Sequence, residues 1–244
     1  MAGTIKTSKK WGKIFEDTDF VAALTSGITN YMFKMRWYAA KGQETKNFKI
    51  TFSTPLGNEK RVLAHAIVIE VNFAAGFTEY YFMTLGFTDH ENIDSNGVVL
   101  KANVGGKEGR VIDAVYWEDF RKFLFLSMTK QRKFESDGRS LFFQKGKVLR
   151  SAAEYQNSQV LGFDQSNTSL EFNGKYYLKI YRRLFEDVNP DLELTRFLSD
   201  DAGFKNAPSY VGSITWKNRG YSVISSNTSG RAHVWTPVTR PDLV

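Results

Sequence analysis

Cysteine is absent from all 244 residues, which excludes disulfides, thiolate metal sites and cysteine nucleophiles together. Proline is scarce, with five residues. No apolar stretch approaches the roughly 20 residues that a membrane-spanning helix needs. The N-terminal segment Met1–Phe20 has basic residues but no apolar run after them, so it does not read as a secretory signal. A cytoplasmic protein without membrane contact is the expectation. The formal net charge is +7, yet no block of five or six like charges occurs. The densest basic cluster, Lys130-Gln131-Arg132-Lys133, is broken by a glutamine and followed by Glu135. Nucleic acid is therefore a poor fit, and a phosphate-bearing small ligand a better one. No Ser stands in a Gly-x-Ser-x-Gly elbow, which removes triad chemistry of that kind. His65, His90 and His233 are too dispersed to suggest a metal site, and His65 reads as a cross-strand surface residue. Glu70 and Glu79 flank an expected hairpin as solvent-facing acids, not as a glycosidase pair.

What the chain does have is aromatic side chains, at 15% of residues. These carry a large burial payload and favour strands, so a sheet-rich core is expected. From Asp17 to Lys34 the residues Phe20, Val21, Leu24, Ile28, Tyr31 and Met32 recur at three- and four-residue steps, the pattern of a one-sided helix. Gly42 then offers a turn. Phe48–Phe52, Val62–Phe73 and Glu79–Phe87 read as strands, and Asp89–Arg110, rich in Gly, Asn and Asp, as an exposed loop. A second helix is expected over Trp117–Lys130. Strands follow at Ser140–Gln144, Val160–Phe163, Ser169–Phe172 and Tyr176–Tyr181. Asn189 and Pro190 suit the N-cap and first turn of a helix running to about Asp200. Strands near Tyr210–Trp216 and Tyr221–Ser225 complete the reading, with a frayed tail at Thr236–Val244.

The chemistry concentrates between Asp164 and Glu193. Lys179 lies on a strand between Leu178 and Ile180, so the period of two sends it alone to the opposite face. Glu193 follows fourteen residues later in the first turn of a helix. In protein-kinase-like folds, a strand lysine grips the α- and β-phosphates and a helix glutamate holds that lysine in place. The polar turn Gln165-Ser166-Asn167-Thr168-Ser169 lies where a phosphate-covering loop belongs. It lacks the glycines of a conventional loop, but amides and hydroxyls suit phosphate oxygens. The ordinary alternatives are a solvated strand lysine and a first-turn acid that stabilises the helix dipole.

These runs, together with Leu178-Lys179-Ile180-Tyr181-Arg182-Arg183-Leu184, Val188-Asn189-Pro190-Asp191-Leu192-Glu193 and Tyr210-Val211-Gly212-Ser213-Ile214, resemble the N-lobe of maltokinases, which occur alone or fused to trehalose synthases. Arg36-Trp37-Tyr38-Ala39-Ala40-Lys41-Gly42 resembles the Arg-Trp-Phe-x-x-Lys segment of that family's N-terminal cap, and Tyr80-Tyr81-Phe82 fits the cap too. The resemblance implies an α+β fold: a β-rich cap over residues 1–112 packed on a protein-kinase-like N-lobe over 113–244, an antiparallel sheet with a helix. It implies ATP and Mg²⁺ as cofactors and maltose phosphorylation at the anomeric hydroxyl. By the same analogy Lys179 binds phosphate, Glu193 orients it, and Gln165, Ser166, Asn167, Thr168 and Ser169 cover the nucleotide. Arg36, Trp37 and Lys41 fix the cap on the lobe.

Only 65 residues follow Lys179. Asp200, Asp201 and Asp242 are the aspartates after Glu193, none in a catalytic-loop context, and the likeness ends at Lys217. The expectation is therefore a chain without the catalytic C-lobe, inactive alone and with no catalytic or metal residue of its own. Its expected partner is that missing lobe, a second copy, or an α-glucan or trehalose enzyme. The alternative is a non-catalytic binding or regulatory module in trehalose and α-glucan metabolism, or a nucleotide sensor built on Lys179.

Overall fold

Period-two aromatic and β-branched residues build two sheets, each of seven strands, in the computed structural model. It describes residues 4–58, 60–162, 166–185, 190–204, 206–218 and 221–230, with 217, 218 and 221–230 as backbone only. The first sheet contains β1 (Ile5–Thr7), β2 (Thr45–Asn58), β3 (Arg61–Phe73), β4 (Thr78–Thr88), β5 (Val98–Val104) and β6 (Lys107–Asp113). Their spatial order is β1-β5-β6-β4-β3-β2. All these pairs are antiparallel except β1 with β5.

The helix α1 (Thr18–Lys34) forms where its periodicity predicts, and the Asp17 carboxylate caps it by accepting from the Phe20 N–H at 3.0 Å. Its buried stripe is Phe20, Leu24, Ile28, Tyr31 and Met32. Each such side chain contributes about 1.5–3 kcal/mol when removed from water. The stripe packs with Ile67, Ile69 and Val71, while Ala64, Ala66 and Val68 enter a second core on the other face of the same strand. Strand β3 is thus covered on both sides, which is why residues 64–69 are buried without alternation.

Three expectations are corrected here. Residues 89–110 are not a long loop, because β5 and β6 form a hairpin across Gly105 and Gly106, at φ 59° and 84°. The glycines that read as a loop are a turn of the kind that demands positive φ, between strands that bury Ala102 and Val104. His65 is not a surface residue. It is 2% exposed, its Nε2 lies 3.0 Å from the Trp11 carbonyl, and its ring stands edge-on to Trp11 and Phe15. Residues 11–16, a 3₁₀ segment, cross over β3 and cover it. Glu79 is also buried, held by the Tyr81 hydroxyl and by Arg183 at 2.7 Å.

The helix α2 (Glu118–Thr129) leads into the second sheet. This sheet contains β7 (Lys133–Ser136), β8 (Arg139–Lys145), β9 (Ser158–Leu161), β10 (Asn167–Phe172), β11 (Tyr176–Tyr181), β13 (Ser209–Asn218) and β14 (Tyr221–Gly230). The order is β7-β8-β13-β14-β11-β10-β9. A short strand, β12 (Arg183–Leu184), returns to the first sheet beside Tyr80 and Tyr81 of β4. The core between the sheets joins Phe52, Leu56 and Phe82 to Phe120, Leu124, Phe143, Leu170, Leu178 and Trp216. The α+β class expected from the sequence is the class observed.

Candidate functional site

The site is built on the hairpin of β10 and β11, turned through Asn173 and Gly174 at φ 57° and 61°. Directly opposed residues of an antiparallel pair share a face. The register sets Ser169 against Lys179 and Asn167 against Tyr181. Thr168, Leu170, Phe172, Leu178 and Ile180 turn the other way into the core. Lys179 therefore stands on the outer face, as its apolar neighbours predict.

A helix supplies its partner. In α3 (Pro190–Arg196), the Asp191 carboxylate lies 2.9 Å from Lys179 Nζ. The Tyr181 hydroxyl donates to the same Asp191 oxygen at 2.9 Å. Lys179 Nζ also sits 5.2 Å from the centroid of the Tyr181 ring, a cation–π contact. The hydrogen bond from Lys179 holds the Asp191 carboxyl below the ordinary carboxylate range, assisted by Tyr181 and opposed by partial burial. Side-chain exposures of 36% for Lys179 and 58% for Asp191 leave this pair open to solvent. Such a pair is worth roughly 0–1 kcal/mol, so it adds little to the stability of the fold.

The acid that meets Lys179 is thus Asp191 and not Glu193. Successive helical residues turn by about 100°, so Asp191 and Glu193 cannot both face the sheet, and Glu193 is exposed. Thr168 is likewise withdrawn from the predicted nucleotide-covering set. It is 5% exposed, on the inner face, where its hydroxyl accepts from Arg182 Nε at 2.9 Å. Asn167 and Ser169 belong to β10 itself, on the face of Lys179. Ser166 is exposed just before the strand, and its hydroxyl accepts from the Asn167 amide at 3.1 Å. Gln165 lies outside the described residues, as do the predicted cap Asn189 and the tail.

Reading along the chain missed Asp191, although Pro190-Asp191 carries the signal of a first-turn acid. It also missed Tyr181 and the Arg182–Asp113 pair. Arg182 Nη2 lies 2.6 Å from Asp113 Oδ2, with both side chains fully buried. The guanidinium also lies 5.1 Å from the centroid of the Trp37 ring. Trp37, 5% exposed, does meet the second half of the chain in this way, whereas Arg36 and Lys41 stay at the surface.

One ammonium held by an acid, with a hydroxyl and an amide on the adjacent strand of the same face, suits the oxygens of an anionic group such as phosphate. Among the described residues no three His, Asp or Glu side chains gather into a group that could hold a metal. Among the described residues no helix is long and apolar enough to cross a membrane.

Comparison with known proteins gives this arrangement a context. Residues 31–116 match the family model for the maltokinase N-terminal cap domain. Among solved structures, the chain is similar to a glucosamine kinase in complex with glucosamine, ADP and inorganic phosphate, with a TM-score of 0.53 and 12% identity over 93% of this chain and 42% of that one. A second glucosamine kinase structure, crystal form B, has a TM-score of 0.50 and 11% identity over 92% of this chain and 41% of that one. At these identities the likeness is one of fold. The chain spans about two fifths of the length of the kinases it matches. Residues 31–116 are thus similar to the maltokinase N-terminal cap domain, and the chain shares its fold with part of a sugar kinase.

Proposed function

We propose that this chain is the cap and N-lobe portion of a maltokinase-like sugar kinase, divided near residue 112, with Lys179 as its phosphate-gripping cation. The observation that carries the reading is the Lys179–Asp191–Tyr181 group on the outer face of the second sheet, within a fold shared with sugar kinases. The glucosamine kinase of similar fold was solved in complex with glucosamine, ADP and inorganic phosphate, which supports nucleotide use here.

Phosphoryl transfer demands charge placement more than covalent chemistry from the protein. ATP, when bound, supplies the transferable phosphoryl group. The residues of this chain hold the anion. Lys179 presents its ammonium, Asp191 accepts a hydrogen bond from it, and Tyr181 donates to the same carboxylate oxygen. Ser169 and Asn167 line the adjacent strand on the same face. No step is assigned to Mg²⁺, for which the described residues gather no group of three His, Asp or Glu side chains. Phosphorylation of maltose at its anomeric hydroxyl belongs, in this reading, to an assembly that includes a catalytic lobe, and the present chain is inactive alone.

Calorimetric titration of the 244-residue protein with ATP and Mg²⁺ tests the binding claim, with saturable heat expected and a flat titration overturning it. A coupled assay with maltose and ATP tests the inactivity claim. Robust phosphorylation by this chain would refute it.

A further inference from the structure

We infer that Arg182 is the positioning residue of this site, so that the hold of the first sheet on Arg182 sets the geometry of the Lys179–Asp191–Tyr181 group. The inference rests on the phosphate-gripping reading of that group, and it concerns how the group is aligned.

Arg182 follows Lys179, Ile180 and Tyr181 directly, at the point where the chain leaves the second sheet for the first. Each nitrogen of its guanidinium has a separate partner: Nε donates to Thr168 Oγ1 at 2.9 Å, Nη1 to the Phe82 carbonyl at 3.5 Å, and Nη2 to Asp113 at 2.6 Å. Thr168 belongs to β10, opposite Ile180, whereas Phe82 and Asp113 belong to the first sheet. The Trp37 ring closes the remaining side. The Arg182 backbone is held as well, its carbonyl accepting from the Phe82 N–H at 2.7 Å. One planar fork therefore joins the two sheets through bonds that no single-point lysine could reproduce.

Tyr181 is the residue immediately before this clamp, and its hydroxyl holds Asp191. An exposed ion pair such as Lys179–Asp191 restrains its own geometry only weakly. The buried neighbour adds a restraint that the exposed pair lacks. Small displacements of a binding group are costly to function, so a clamp one residue away is well placed to govern it. Asp113 is itself held by Thr84 and by the Val115 N–H. The chain of contacts thus reaches back to β4 and to the segment after β6.

The test follows the titration of the Asp191 carboxyl by carbon NMR in the full 244-residue protein, with Lys179→Met as the reference for a released acid. In folded Asp113→Asn and Thr168→Val variants, the Asp191 midpoint is expected to move upward by at least half of the shift seen in Lys179→Met. Affinity for Mg·ATP should fall about fivefold or more, the lower end of ordinary coupling between sites. An Asp191 midpoint identical to that of the unsubstituted protein in both variants overturns the inference and leaves Arg182 as a purely structural residue. If Asp113→Asn fails to fold, Thr168→Val decides alone, since it removes one acceptor at nearly constant shape. A moved midpoint without nucleotide binding in any form sustains the positioning role and sinks the phosphate reading.

Discussion

Arg182 Nη2 and Asp113 Oδ2 lie 2.6 Å apart with no exposed surface on either side chain. Burial pushes the Asp113 carboxyl above the usual range, while the adjacent guanidinium, the Val115 N–H and the Thr84 hydroxyl oppose that shift. Removing one partner strands the other charge in the interior. Arg182→Ala should therefore cost about 3–5 kcal/mol, read by urea unfolding. The double replacement Arg182→Met with Asp113→Leu should recover most of the loss, because the desolvation cost disappears with the pair. A double variant as unstable as the single one would show that the pair does more than satisfy itself.

His65 makes stability depend on pH. Burial lowers its imidazole from the ordinary value of 6.5 to about 4, with the hydrogen bond to the Trp11 carbonyl acting in the opposite direction. Between those values the unfolded chain binds a proton that the native state refuses. Stability should then fall as pH drops through this window, by about 3 kcal/mol at its lower end. Urea midpoints at pH 7 and pH 5 should separate in the unsubstituted protein and converge in His65→Leu. Parallel behaviour of the two proteins would remove His65 as the cause.

Substitutions at the outer face should discriminate between the two candidate acids. Lys179→Ala should abolish ATP binding, Asp191→Asn should weaken it about tenfold, a difference of about 1.4 kcal/mol, and Glu193→Gln should leave it unchanged. Calorimetry on the three variants checks this. A large effect at Glu193 with none at Asp191 would reverse the assignment.

Gly106 occupies φ 84° with nothing within 4 Å of an added Cβ. The cost of Gly106→Ala is thus a backbone cost alone, about 1–2 kcal/mol. Asn tolerates this conformation better, so Gly106→Asn should cost less. Thermal unfolding of the two variants gives the comparison, and equal losses would point to a side-chain cause.

Much of the fold was legible along the chain. The stripe from Phe20 to Met32 announced α1, because a helix brings residues three and four apart together. Leu178 and Ile180 likewise announced the outward face of Lys179. The hairpin at Gly105 and Gly106 was misread as a loop, since glycine density marks a tight turn and an irregular segment alike until the flanking strands pair.

By itself, then, the sequence determined the helices α1 and α2, the strands β3, β4, β10 and β11, and which face of β11 carries the cation, since these follow from neighbours within a few residues. Tertiary structure alone decided that Asp191 meets Lys179, that Thr168 turns inward, that His65 is covered by the crossing of residues 11–16, and that Arg182 finds Asp113. The last two partners stand 69 residues apart in the chain, and a contact at that separation leaves no period for local spacing to reveal. It arises only when β12 returns to the edge of β4 and closes the two sheets on one buried charge pair.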